Sequence, residues 1–436
     1  MSASTQASRW IDGLRRPLAS RAGCKNFKPQ QGAWTRGGSE RLASMRYENL
    51  MIYLDYNATT PIEEEVLDAM LPFFCERYGN PSSAHLAGRQ ARAAIDAARE
   101  DVALLIGAMP DEIIFTASGT EASNLAIRGV VAADPERRHV ITSAFEHPAT
   151  AEACAALERQ GVRVTRVPVA SDGCVRPEEV GRALSAAPAL VSVMHANGEI
   201  GTIQPIATIA RMAKEHAGIV HTDAAQTVGK VRVNVNALGV DLLTIAGHKL
   251  YAPKGVGALY VRRGTRLTSV LAGAGHERGL RPGTENVAGI VGLGKACEIA
   301  DRQLGADAVV MRSLTEYLLA QLRARVKGLV LHGDGSERLP NTLFLTFPGV
   351  NGARLLETVP QVAASTGSAC HSGSDAPSAS LLALGVPPEQ AIGPVRLSVG
   401  RNTTMRDIEE AAVALSYAWK RLRDVSETPM LSRPVC

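Results

Sequence analysis

The chain predicts an α/β fold: a large domain on a mixed, mostly parallel sheet covered by helices, followed by a smaller C-terminal α+β domain. Three observations lead there. From Met51 onward, short apolar runs of β type alternate with helix-length segments. The runs are short and apolar, as strands of a parallel sheet covered on both faces require. Near residue 305 the rhythm changes to a long helix, hairpin-like strands and a last helix. With 436 residues and 45% hydrophobic content, the chain can bury cores of this size, enough for two or three domains.

In order, the pattern predicts helices near 62–76 and 86–106, a strand over Glu112–Thr116, a helix over Glu121–Val131 and a strand over His139–Ser143. Further strands are expected at Val162–Pro168, Leu190–His195, Gly218–Thr222, Leu242–Ala246 and Gly257–Val261. The small domain is expected to open with a helix over Val309–Lys327 and to close with one from Met405 to Arg423. Expected bounds are 1–50 for a basic leader, 51–65 for an N-terminal segment joining the small domain, 66–304 for the large domain and 305–436 for the small one.

The leader sets Arg9, Arg15, Arg16, Arg21, Lys25, Lys28, Arg36, Arg41 and Arg46 against only Asp12, Glu40 and Glu48, with poor apolar periodicity. It reads as translation from an upstream start codon, or else as a transit peptide. The expected location is the cytoplasm, with organellar targeting as the alternative.

A net charge of +4 with 21% charged residues is too mild for nucleic acid or a membrane surface as main partner, which points to a small-molecule substrate. No apolar run reaches the ~18 residues of a membrane span. The seven cysteines are odd in number and sparse, without CxxC or Cys/His metal spacing. They indicate neither a disulfide framework nor a zinc site, and suit a reducing compartment where each is core filler or a reactive thiol.

The chemistry starts at Asp223, a carboxylate at the end of an apolar strand, where α/β folds present ligand-binding groups. Alone it reads as a helix cap. Lys249, in Gly247-His248-Lys249 at the end of the next apolar run, changes that reading. A lysine able to form a Schiff base, paired with a carboxylate for a pyridinium nitrogen, is the minimum equipment for pyridoxal 5'-phosphate (PLP). Ser118-Gly119-Thr120, between a strand and a helix start, lets backbone amides and a hydroxyl approach a phosphate.

With these come the segments Tyr53–Pro61, Gly79–Ser83, Glu146–His147, His221–Gln226, Gly247–Lys249, Arg281–Asn286 and Ser368–Cys370. Through them the chain resembles the cysteine desulfurases of the NifS/IscS type, in class V of the aminotransferase-like PLP enzymes, over roughly Ile52 to Ala412. The resemblance implies a PLP-dependent transferase fold of the aspartate-aminotransferase kind, with L-cysteine as substrate and a persulfide as product. It implies Lys249 as Schiff-base lysine, Asp223 as pyridinium partner, Gln226 as donor to the phenolic oxygen and His147 stacked on the ring. Gly119, Thr120, Gly247 and His248 would hold the cofactor, with Thr284 supplied by the second subunit of a homodimer. Arg396 would bind the substrate carboxylate, with Asn57 near the substrate, and Cys370 would take the sulfur and pass it to an acceptor such as an iron–sulfur scaffold protein. His147 is also the expected acceptor of the thiol proton, which a thiol mostly protonated at neutral pH requires. The spacing from Cys370 to Gly385 resembles the longer mobile loop of this group. No resident metal is implied.

Two positions depart from the pattern. Ala246 stands where these proteins commonly carry serine, removing one expected phosphate hydrogen bond at a cost of about 1 kcal/mol. Gly198 stands where the second of two asparagines touches the cofactor, so either Asn197 takes over or the contact is absent. The sequence Cys370-His371-Ser372 also occurs in selenocysteine lyases, which are the alternative enzyme. A third reading, prompted by Gly198, is a degenerate PLP-fold protein acting as a partner in sulfur transfer.

Overall fold

The computed structural model describes residues 51–184, 188–366, 377–388, 391 and 393–427. A two-residue strand, β1 (Ile52–Tyr53), is followed by seven that form one sheet: β2 (Ile113–Thr116), β3 (His139–Ser143), β4 (Arg163–Val167), β5 (Leu190–Ser192), β6 (Ile219–Asp223), β7 (Leu242–Ala246) and β8 (Gly257–Val261). Their order is β2-β8-β7-β6-β5-β3-β4, and β8 alone runs antiparallel to both neighbours. The mixed, mostly parallel sheet expected from the apolar runs is therefore present: β3, β7 and β8 have the expected bounds, β6 is displaced by one residue, and β2, β4 and β5 are shorter.

Alternation along each strand splits the sheet into two apolar faces. Ile113, Phe115, Leu243, Ile245 and Tyr260 pack into one cluster, whereas Ile114, Leu242, Leu259 and Val261 pack into another. The first face receives α1 (Leu86–Ile106), whose Ile95, Val102 and Ile106 repeat at helical spacing. The second is covered by α2 (Gly119–Ala133) and α3 (Pro148–Glu158).

A helix of 39 residues, α4 (Val287–Arg325), starts well before the expected Val309. The Asn286 side chain caps it by accepting from Gly289 N–H at 3.1 Å, and the glycines near its start pack tightly: a Cβ on Gly294 would fall 2.6 Å from Ala98. These glycines mark helix packing, and the boundary expected at 304/305 falls inside the helix. Its N-terminal half buries Ile290, Leu293 and Ile299 with the sheet, and its C-terminal half buries Leu314, Leu318 and Leu322 in a separate core. That core also holds β9 (Val330–Leu331), β10 (Thr342–Thr346), β12 (Val395–Ser398) and α5 (Met405–Glu427). β11 (Val362–Ala363) pairs in parallel with β1, so Ile52 and Leu54 bury there too.

Strand β8 backs the turn after β2. A Cβ on Gly257 would sit 2.7 Å from both the Ile245 carbonyl oxygen and the Ser118 carbonyl carbon, neither of which can yield locally. Gly257→Ala is expected to destabilise the protein by roughly 2 kcal/mol or more, read as a lowered denaturant midpoint at unchanged slope.

Candidate active site

The parallel strands deliver their carboxyl ends to one edge, and the sequence-expected residues meet there around a cavity of about 180 Å³. Its lining includes Ser118, Gly119 and Thr120 after β2, His147 after β3, Asp223 and Gln226 after β6, and Ala246, His248 and Lys249 after β7.

At one wall α2 begins. The Ser118 side chain accepts from Glu121 N–H at 3.1 Å, so the cap frees the first-turn amides of Gly119 and Thr120 beside the cavity. Glu121 accepts from Ala117 N–H at 3.0 Å and pairs with Arg281 at 2.8 Å, joining this turn to the 281–286 loop. A Cβ on Gly119 would approach the Ala246 Cβ to 3.0 Å. Ala246 thus packs against the anion turn with a methyl group where a hydroxyl was expected.

Asp223 ends β6 and accepts from Ala225 N–H at 2.9 Å. Burial raises its carboxyl above the usual range, opposed by the nearby His147 and Lys249. Burial likewise lowers His147, opposed by Asp223. Both shifts favour the neutral forms while their mutual attraction favours the charged ones. The His147 Nδ1 accepts from Ala149 N–H at 3.1 Å, so the neutral ring carries its proton on Nε2. The thiol proton expected to pass to His147 therefore requires this cap bond to be given up, since Nε2 has no free lone pair.

Lys249 donates to the carbonyl oxygens of Asn57 at 2.5 Å and Ala58 at 2.9 Å. His248 Nδ1 lies 3.2 Å from the Thr59 hydroxyl, and burial takes its ring down to about 4. Gly247 does not line the cavity; a Cβ there would fall 2.9 Å from the Val256 carbonyl oxygen, so its role is to let the turn pack against β8.

Two asparagines sit differently from what was expected. Asn197 does not line the cavity: its Oδ1 accepts from Glu199 N–H at 2.8 Å and Ile200 N–H at 2.9 Å, and its Nδ2 donates to the Phe145 carbonyl. The side chain is consumed in closing its own turn, while Ala196 and Gly198 face the cavity. Asn57 is only 1% exposed, and its amide is fully engaged. Oδ1 accepts from Lys230 and Asn341 at 3.0 Å each, and Nδ2 donates to Gly198 O at 3.0 Å and Thr342 Oγ1 at 2.8 Å. Asn57 is thus a joint of the scaffold, with no side-chain atom left for a substrate. Thr284, expected to serve the site of a second copy, is exposed and does not line its own chain's cavity.

Arg396, on β12, bonds Asp55 at 2.8 Å and the Gly198 carbonyl at 3.2 Å, and its Nε has no hydrogen-bond partner among the described residues. Ser365 exchanges both backbone hydrogen bonds with Arg396 and precedes the segment carrying Cys370 and His371, which lie outside the described residues.

A family model for class-V aminotransferases matches residues 52–410. The chain belongs to the class-V aminotransferase family. Among curated class-V proteins, the cysteine desulfurase IscS of Dictyoglomus turgidum is 46% identical over 378 residues, covering 86% of this chain and 96% of that one. A solved NifS-like protein superposes with a TM-score of 0.79 at 36% identity, over 86% of this chain and all of that one. The structure of SspA in complex with cysteine gives 0.72 at 34% identity, over 81% of this chain and 99% of that one. The class-V fold expected from the motifs is present.

Sequence reasoning gave no role to three groups here: Lys230, which is buried, and Asp55 and Glu146, which are half-buried. Glu146 accepts at Oε1 from Ser143 at 2.5 Å and Met194 N–H at 3.0 Å, while Oε2 is buried without a partner. Burial pushes its carboxyl from 4.5 up to about 8. Between those values the folded chain holds a proton that the unfolded chain has lost, so this contribution to stability is complete below pH 4.5 and is lost as pH rises through about 8. Glu146→Gln is expected to flatten the fall in unfolding free energy over that window, by at most about 1.4 kcal/mol per pH unit, in denaturant titrations at several pH values.

Proposed function

We propose that this chain is a PLP-dependent cysteine desulfurase: it breaks the C–S bond of L-cysteine, releases L-alanine and leaves the sulfur in an S–S bond on Cys370. The observation that carries the reading is the meeting, in one cavity, of a lysine amine, a buried carboxylate, a ring from His147 and a capped helix start. Each of these four fits a part of PLP: aldehyde, pyridine nitrogen, ring face and phosphate. When bound, the cofactor supplies an electron sink for bond breaking at carbon.

The chain's own groups then have definite tasks. Lys249 holds and moves the proton at the substrate α-carbon, starting from a position fixed by the Asn57 and Ala58 carbonyls. Asp223 meets the pyridine nitrogen, whose positive charge favours the ionised carboxylate against the burial that raises it. Gly119, Thr120 and His248 hold the phosphate, with Thr284 of a second copy completing it in a homodimer. With its proton on Nε2, His147 donates from that atom, and it accepts a proton only once the cap bond at Nδ1 is released. Arg396 receives the substrate carboxylate in a planar fork, exchanging or sharing its bond to Asp55. The persulfide on Cys370 then passes to an acceptor protein such as an iron–sulfur scaffold, in the cytoplasm or another reducing compartment.

Lys249→Ala is expected to abolish the visible absorption band of the PLP-loaded protein. Cys370→Ala is expected to keep PLP and bind cysteine, yet lose sulfide release under excess reductant. Selenide from L-selenocysteine is to be measured beside sulfide and alanine from L-cysteine. Turnover of cysteine that depends on Cys370 supports the desulfurase, turnover of selenocysteine alone supports a lyase, and inactivity on both leaves the degenerate-partner reading.

A further inference from the structure

Lys230 is 5% exposed, and no ion pair among the described residues involves it. Its Nζ donates to Gln226 Oε1 at 2.8 Å and to Asn57 Oδ1 at 3.0 Å. Both acceptors are amide oxygens. The two ends of an amide are nearly equal in shape and opposite in hydrogen bonding, so a donor placed at one end decides which way the group faces. With Oε1 drawn to Lys230, Gln226 turns Nε2 the other way, where it donates to the Asn57 carbonyl at 3.0 Å, the same oxygen that receives Lys249.

We propose that Lys230 is a positioning residue: it locks the Gln226 amide with its NH2 group toward Lys249 and the cavity, so that the cofactor's phenolic oxygen meets a donor. The inference rests on the PLP reading of the cavity. A reversed amide would set a carbonyl oxygen against that electron-rich oxygen, exchanging an attraction for a repulsion. The lock works without a charge on Lys230, since burial holds its amine well below the usual lysine range and a neutral amine still has two N–H donors for two acceptors.

Gly198 belongs to the same arrangement. A Cβ there would fall 2.8 Å from Gln226 Nε2 and 3.1 Å from its Cγ. A side chain at 198 would press on the end of the Gln226 amide, and the glycine leaves that amide its present place.

The test uses the full-length protein titrated with PLP, reading cofactor affinity, the position and pH midpoint of the visible band, and thermal melting. Lys230→Met keeps the length and removes the donors; it is expected to weaken PLP binding about tenfold and to shift the band. Gln226→Glu, with oxygen at both ends, is expected to do the same. Lys230→Met combined with Gln226→Ala is expected to be no worse than Gln226→Ala alone, because both act through one amide. A folded Lys230→Met protein with wild-type affinity and band, or losses that add in the double variant, overturns the proposal. Should Lys230→Met not fold, wild-type affinity and band in Gln226→Glu overturn it, and a matching loss supports it. A wild-type chain that binds no PLP overturns the PLP reading itself, a result distinct from variants that match a PLP-binding wild type.

Discussion

The backbone carbonyl of Asn57 is the point on which the site hangs. It accepts from Lys249 at 2.5 Å and from Gln226 at 3.0 Å, while the Asn57 N–H donates to the Ser398 hydroxyl at 3.0 Å. One residue thus ties together the turns after β6 and β7 and the end of β12. Because Ile52 and Leu54, just before it, are buried in the second core, groups on the sheet are oriented by a segment that the other core anchors. The position of the Lys249 amine and the packing of the smaller core are mechanically linked.

The second constraint is desolvation. Asp223, Lys230 and His221 are buried titratable groups and Glu146 is half-buried, and desolvation shifts each of them toward its neutral form. Hydrogen bonds make this tolerable. His221 sits between Ser192 at 2.8 Å and Thr244 at 3.0 Å, and Thr244 continues to Ser123 on α2 at 3.1 Å. That row crosses the sheet and ties α2 to it through neutral groups.

Much of this was legible from residue order. Strand ends carry ligand groups in a parallel sheet, so Asp223 and Lys249 declared themselves by position, as did the small residues before Glu121. Periodicity failed at α4, where glycines that permit close helix contact look the same in sequence as glycines that break helices. The resemblance suggested ligand roles for Asn197 and Asn57, since an asparagine that closes a turn or joins segments has the same sequence appearance as one that offers its amide to a ligand. The acids and bases behind the site left no pattern, because their partners lie far away in the chain: Lys230 meets Asn57, and Arg396 meets Asp55.

The sequence by itself determined the sheet, the identity of the chemical groups and their attachment to successive strand ends, because these follow from local periodicity and from which atoms each side chain carries. Only the tertiary structure decided the protonation states and orientations: which nitrogen of His147 holds the proton, which way the Gln226 amide faces, and which carboxyls stay neutral. Those depend on burial and on donors brought together from distant segments, and neither quantity exists until the chain has folded.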